Sequence, residues 1–239
     1  MAGEGLVAIP LRAPHALMSL MTLAANAGTP PAIAPGPFLP RGDLLAALDL
    51  LAKLFALVDP VCLTLDPIAA SELLVSHPRW AMVPLVYGYV PYARPGFRAV
   101  PLAFADIPAI GAGGPRGSVL GGTGMAVSAH GAAPDVAQDF ALFATAADIQ
   151  ATVYAETGQP AHRSAWESDA VNRACGDFYR ATLATLDAAY LRPRHAGYIG
   201  FQARASTLIE GFLRRETSAA AAAASLDQAF AASFTGQNC

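Results

Sequence analysis

Lysine is almost absent from this chain. Lys53 stands alone, and arginine supplies the rest of the 15 basic residues. Against 18 acidic residues this gives a net charge of -3, with charged side chains only 14% of 239 residues. No basic stripe can form, which argues against a nucleic-acid partner. Cysteine is also scarce. Cys62, Cys175 and Cys239 are far apart and odd in number, with no CxxC or Cys/His ligand spacing, so neither a zinc site nor a disulfide framework is indicated. Buried or incidental thiols are expected, with a Cys62–Cys175 bridge left open for an oxidising compartment. The histidines, His15, His77, His130, His162 and His195, form no metal spacing. There is no Gly-x-Ser-x-Gly elbow, since Arg116 breaks the near approach at Ser118, and no acidic pair is placed for acid–base work. Catalysis therefore has no positive sign, and no metal or cofactor is expected. Long apolar runs are missing too: Met18 to Ala27 is far too short to span a membrane. Met1-Ala2-Gly3-Glu4-Gly5 lacks the charged start and apolar run of a signal peptide, so expression of the chain as given would leave it in the cytoplasm.

Apolar character is abundant. Hydrophobic residues make up 54% of the chain, and the mean hydropathy is +0.39, which implies surface meant to lie against something else. The length suits one large domain or two small ones. Leu6-Val7-Ala8-Ile9 reads as a buried strand. Pro14 to Asn26 reads as a helix stopped by Gly28. Pro30 to Pro40 is a proline-rich loop, and in Arg41-Gly42-Asp43 the aspartate is expected to cap a helix. Leu44, Leu48, Leu51, Phe55 and Val58 keep helical spacing up to Asp59-Pro60. Asp66-Pro67 is a cap and first-turn proline for a helix through Leu74. Ala81 to Val86 and Ala99 to Phe104 read as strands, the first with Pro84 marking an edge or bulge. Beyond Ala165 the pattern is helical: Tyr179, Leu183, Leu186 and Tyr190 share a face, as do Phe201, Ala205, Leu208 and Phe212. A run of alanines, Ala219 to Ala224, belongs to the last helix.

The centre of the chain runs from Leu120 to Ala165. It begins Leu120-Gly121-Gly122-Thr123-Gly124-Met125-Ala126-Val127-Ser128, and Pro134 and Asp135 then open a helix with Val136, Phe140 and Phe143 on one face. It closes with Gly158-Gln159-Pro160-Ala161-His162-Arg163-Ser164. The glycine stretch is not a dinucleotide loop, because a strand follows it where a helix is required, and it holds no lysine for a phosphate loop. It reads equally as backbone facing a small ligand or as a plain turn or bulge.

This order of motifs resembles the extracellular solute-binding proteins of bacterial ABC importers, in the group that mostly carries sugars. The resemblance covers nearly the whole chain but only the second half of the family's pattern. It implies an α/β fold: a periplasmic-binding-protein-like lobe, with a small mixed sheet flanked by helices, over residues 1–165. A C-terminal helical segment, 166–239, would then pack on the hinge and on a first lobe that lies outside the chain. It implies capture of a sugar or other small polar solute between two lobes, delivery to a membrane permease, and a periplasmic or extracellular location. The alternative is a truncated or orphan lobe without transport activity, at most an interaction module. The ligand contacts implied are Tyr87 and Tyr89 after the Ala81-Met82 strand, then Gly121, Gly122 and Thr123, then Gln159 and Arg163. His15 on the first helix and Tyr198 or Gln202 near a later helix start complete the set, with Phe201 competing for the aromatic role. Aromatic rings at such positions stack on the C–H faces of sugars. Leu183, Leu186, Leu208 and Phe212 are expected to be short of partners, so the chain alone should bind weakly and self-associate through its first-lobe-facing surface.

Overall fold

Leu44, Leu48 and Leu51 repeat at four- and three-residue steps, and all three are fully buried on one face of a helix that runs from Arg41 to Ala56. That helix belongs to a computed structural model of the chain, which describes residues 6–110, 114 and 116–235. In chain order the helices are α1 (His15–Asn26), α2 (Arg41–Ala56), α3 (Pro67–Ser76), α4 (Pro134–Thr145), α5 (Ala147–Ile149), α6 (Ala155–Thr157), α7 (Arg163–Glu167), α8 (Asp169–Ala174), α9 (Phe178–Asp187), α10 (Tyr198–Leu213) and α11 (Ala219–Ala232). A π-helical turn, Gln150–Tyr154, joins α5 to α6.

The chain forms two compact units that interleave along the sequence, so neither is one continuous stretch. Unit 1 holds residues 1–87, 106–120 and 184–239, and unit 2 holds 88–105 and 121–183. Unit 1 is built on α1, which is buried from Ala16 to Asn26 on every side, as a helix in the middle of a core must be. α2 and α10 pack on it, and α11 packs on both α2 and α10. Phe38, Phe201 and Phe230 meet at centroid distances of 5.1–5.3 Å and draw the proline-rich loop onto α10 and α11. Burial of each such ring contributes roughly 1.5–3 kcal/mol. Asp66 caps α3 as its Asp-Pro pair predicts, accepting from Ala69 N at 2.8 Å. Asp43 does not cap α2. It lies in the first turn, behind Pro40, where its charge still favours the helix end.

Asn26 closes α1 with a polar clamp. Its amide donates to the Pro108 and Arg116 carbonyls at 3.1 and 2.9 Å, and its oxygen accepts from Ile110 N at 2.6 Å. Gly117 passes so close that a Cβ there would stand 2.6 Å from the Ala25 carbonyl carbon, at a φ of +80°. Only glycine meets both demands.

Unit 2 is smaller. Its core is Val90, Ala93, Trp166, Val171, Cys175, Phe178 and Tyr179, with Phe104, Ala155 and Leu183 packed around it. Asn172, fully buried, donates to the Trp166 and Ser168 carbonyls and accepts from Arg180 N, tying α7, α8 and α9 together.

The expected mixed sheet is not formed among the described residues. Among the described residues, pairing is limited to isolated bridges at Val7–Met82, Pro95–Arg98 and Val119–Tyr190. Over residues 101–105, Leu102 and Phe104 are half-buried between exposed Pro101, Ala103 and Ala105, so the period-two pattern is present. What fails is pairing: Leu102 N to the Tyr92 carbonyl is the ladder-like bond of this stretch. The expected shortage of partners on the closing helices is corrected as well. Leu208 and Phe212 pack against the main core and Leu183 against that of unit 2, leaving Leu186 as the exposed one. Tyr190 falls outside α9 and bridges to Val119 instead.

Candidate ligand-binding site

In unit 1 the residues expected at the ligand gather around the starts of two helices. His15 is the first residue of α1, and Tyr198 is the first of α10. The His15 and Tyr87 rings meet edge to face with centroids 6.2 Å apart. Burial pulls the His15 imidazole below its usual pKa, against a smaller upward pull from Asp66, while nearby Arg12 adds to the lowering. Arg12 and Asp66 are themselves paired. Asp66 stays below the ordinary carboxylate range, chiefly because it accepts the Ala69 N–H of its own cap.

Tyr198 is buried, with its hydroxyl 3.9 Å from the Met21 sulfur. Burial pushes that phenol up to about 12, while Arg192 beside it pulls the other way. Arg192 also donates to Gln202 Oε1 at 3.2 Å and reaches the Met18 sulfur at 3.5 Å. His15 meets Tyr87, Tyr87 acts electrostatically on Tyr198, and Arg192 joins Tyr198 to Gln202, so the four form one neighbourhood. The sequence reading did not single out Arg192 as a ligand contact. Its signal was the Arg-Pro-Arg-His segment, where a guanidinium precedes a helix start. Phe201, the competing aromatic, is core: it is buried against Phe38 and Phe230. The cluster offers a phenol, an imidazole, a carboxamide and a guanidinium. These are hydrogen-bonding groups suited to a polyhydroxylated solute.

In unit 2 the picture is different. Tyr89 is exposed at 41%, next to Gly88, whose missing side chain admits the Phe178 ring. The loop before α7 is firmly held: Arg94 donates to the Ala155, Glu156 and Gly158 carbonyls, Trp166 Nε1 to Pro160, and the Tyr179 hydroxyl to Gly158. Gln159 is left exposed on that loop, and Arg163 forms an exposed i,i+4 pair with Glu167 at 3.2 Å. Gly121, Gly122 and Thr123 are exposed and, among the described residues, make no hydrogen bond. A side chain at Gly122 would meet nothing within 4 Å, so no crowding there calls for glycine. The two groups of expected contacts are therefore divided between units.

A groove of about 560 Å³ opens elsewhere in unit 1, lined by Ala52, Phe55, Val58, Phe212, Leu213 and Thr217, and it includes none of the expected contacts. Cys62 and Cys175 are buried free thiols, each pushed up by burial, and Cys239 lies outside the described residues. Among the described residues no cluster of three His, Cys, Asp or Glu side chains could hold a metal ion, and no helix is long and apolar enough to cross a membrane.

No family model matches the chain, and no curated protein matches it by sequence. Solved structures do match. The maltose-bound MalE3 of T. maritima is similar over 93% of this chain, with a TM-score of 0.71 and 16% identity. An ABC transporter solute-binding protein from Thermotoga lettingae TMO, bound with alpha-D-tagatose, is similar over 95% of this chain, with a TM-score of 0.75 and 17% identity. The chain spans 59% of the length of each. The chain thus shares the fold of these two proteins over a part of their length.

Proposed function

We propose that this chain is part of the solute-binding component of an ABC-type importer. It would capture a sugar or other small polar solute and present it to a membrane permease from the periplasmic or extracellular side. The work is capture without chemistry: ligand contacts made fully in a closed form shift the population toward that form, which the permease recognises. The observation that carries the reading is the likeness along nearly the whole chain to two sugar-bound proteins of this kind. The cluster of Tyr87, His15, Gln202 and Arg192 supports it, because it supplies convergent polar groups beside an aromatic ring. In this reading Tyr198 braces the cluster from within the core of unit 1; on unit 2 by itself, Tyr89, Gly121, Gly122, Thr123, Gln159 and Arg163 are the proposed contacts.

A titration of the purified chain with maltose and with D-tagatose, followed by NMR, tests the reading. The chain alone should bind weakly, with a Kd on the order of 1 mM, and should shift the resonances of His15 and Tyr87. Tyr87→Ala should cost about 1–3 kcal/mol of that binding, the order of a lost ring contact. Unperturbed His15 and Tyr87 resonances at saturating concentrations of both sugars would remove the site. The exposed apolar surface of unit 2 favours a second reading, an orphan lobe that acts as an interaction module. Absence of binding to either sugar, together with a tight protein partner, would select it.

A further inference from the structure

His195 and the end of α11 meet in a contact that the ligand cluster does not use. The His195 ring stacks on Phe234, with centroids 3.8 Å apart and planes 21° from parallel, and both rings meet Phe230 edge to face. Gly197, one residue before α10, passes so close to this turn that a Cβ there would stand 1.9 Å from the Ser233 carbonyl oxygen. Hydrogen bonds fix the tautomer of the imidazole. The Ser233 hydroxyl donates to the Phe230 carbonyl at 2.6 Å, so it can only accept from His195 Nε2–H, 2.8 Å away. In the neutral ring the proton therefore sits on Nε2, and Nδ1 carries a bare lone pair. That Nδ1 atom is buried and, among the described residues, has no hydrogen-bond partner.

A second proton has one place to go, Nδ1, and there it would find no acceptor. A bare lone pair is tolerated in such a place; a charged N–H is not. Phe234 presents its face to the ring and offers no acceptor in the imidazole plane. On the segment of His195 the titratable neighbours are Arg192, Arg194 and Tyr198. On the other side Phe230, Ser233 and Phe234 do not titrate, and Asp227, the acid of α11, accepts from Phe38 N instead. Burial is accordingly the influence that moves the basicity of this ring, and it lowers it. We propose that His195 is a pH-operated latch for the C-terminal end of unit 1. The neutral ring holds the turn of Ser233 and Phe234 against the start of α10, and the protonated ring releases it. The latch is closed above the ordinary histidine pKa and opens as pH falls from there. It stands on packing and hydrogen-bond geometry, and does not depend on whether a sugar binds unit 1.

Hydrogen exchange and imidazole nitrogen NMR on the full chain test it. At pH 7.5 the nitrogen shifts should report the Nε2–H tautomer of His195. The amides of Ser233, Phe234 and Thr235, which donate to the carbonyls of Ala229, Ala231 and Ala232, should then be protected. At pH 5 their protection factors should fall by about tenfold or more relative to those of α1. His195→Gln keeps a donor for Ser233 and cannot titrate, so its protection should be the same at both pH values. His15→Gln should leave the fall intact, and Gly197→Ala should open the turn already at pH 7.5. The latch is overturned by equal protection at both pH values in the unaltered chain, or by a fall that persists in His195→Gln or vanishes in His15→Gln. Proton uptake by His195 at or above the pH of an unfolded histidine would overturn it too, as would full protection in Gly197→Ala. Loss of α1 protection in Gly197→Ala would mark that variant as unfolded, and the His195→Gln comparison then decides.

Discussion

Units 1 and 2 draw on the same apolar composition and use it in opposite ways. In unit 1 α1 finds cover on every side, Ser19 and Thr22 included, and its buried C-terminal end is clamped by Asn26. In unit 2 a helix with a well-formed apolar stripe, α4, buries only Ala144. Amphipathic spacing thus states that a face is to be covered, and says nothing of whether the cover lies in the same unit. The high hydropathy has the same explanation. It reports exposed apolar surface, of which α4 carries the densest stripe in unit 2, while Ile199 on α10 is exposed at 70% in unit 1.

The largest test of this contrast is one ring in each unit. Phe38→Ala should cost about 3–5 kcal/mol in urea unfolding, because it opens a cavity among Phe201 and Phe230. Phe140→Ala should change stability by no more than about 0.5 kcal/mol. Comparable losses would show that α4 is covered after all. Next in size is the clamp. Asn26→Leu leaves Ile110 N and the Pro108 and Arg116 carbonyls without their partner, and should cost about 1–3 kcal/mol for each group left buried. A neutral result would show that water replaces the amide.

The pH response should be smaller and confined to unit 1. Burial lowers the folded pKa of His15, despite Asp66, and that of His195. The unfolded chain therefore takes up protons first. Their contribution is complete above the ordinary histidine pKa and is lost as pH falls from there through the lowered folded values. The urea midpoint should drop between pH 7.5 and pH 5, and the His15→Gln, His195→Gln double variant should flatten the drop. Asp66 acts in the same direction at lower pH, its share being lost as pH falls below the unfolded carboxylate value. Smallest of all, Lys53→Ala should leave stability within about 0.5 kcal/mol, since its pair with Asp49 is exposed on both sides.

The helices of unit 1 were legible because spacing and caps are local. α1, α2, α3, α10 and α11 all lie close to where Leu44-Leu48-Leu51, Asp66-Pro67 and the alanine run placed them. The strands were legible only as alternation. Residues 101–105 keep the pattern, yet a sheet needs a second strand, and sequence periodicity cannot supply one. The candidate site was half legible. His15, Tyr87, Tyr198 and Gln202 meet in unit 1, while Arg192 escaped notice because a lone arginine beside a proline carries no periodic signal. The glycines at 121, 122 and 124 suggested close approach to something, but the described structure places nothing near Gly122 or Gly124.

The all-round burial of α1 sets an order of events during synthesis. Met21 is separated from Tyr198, one of the residues that enclose it, by 177 positions. At ordinary elongation rates the ribosome delivers that cover roughly 10–35 s after α1 has emerged. Unit 2, complete in sequence at residue 183, has all its residues before α10 exists. A nascent chain paused before residue 198 would therefore present α1 covered by α2 but without α10, as a substrate for chaperones that hold apolar helices.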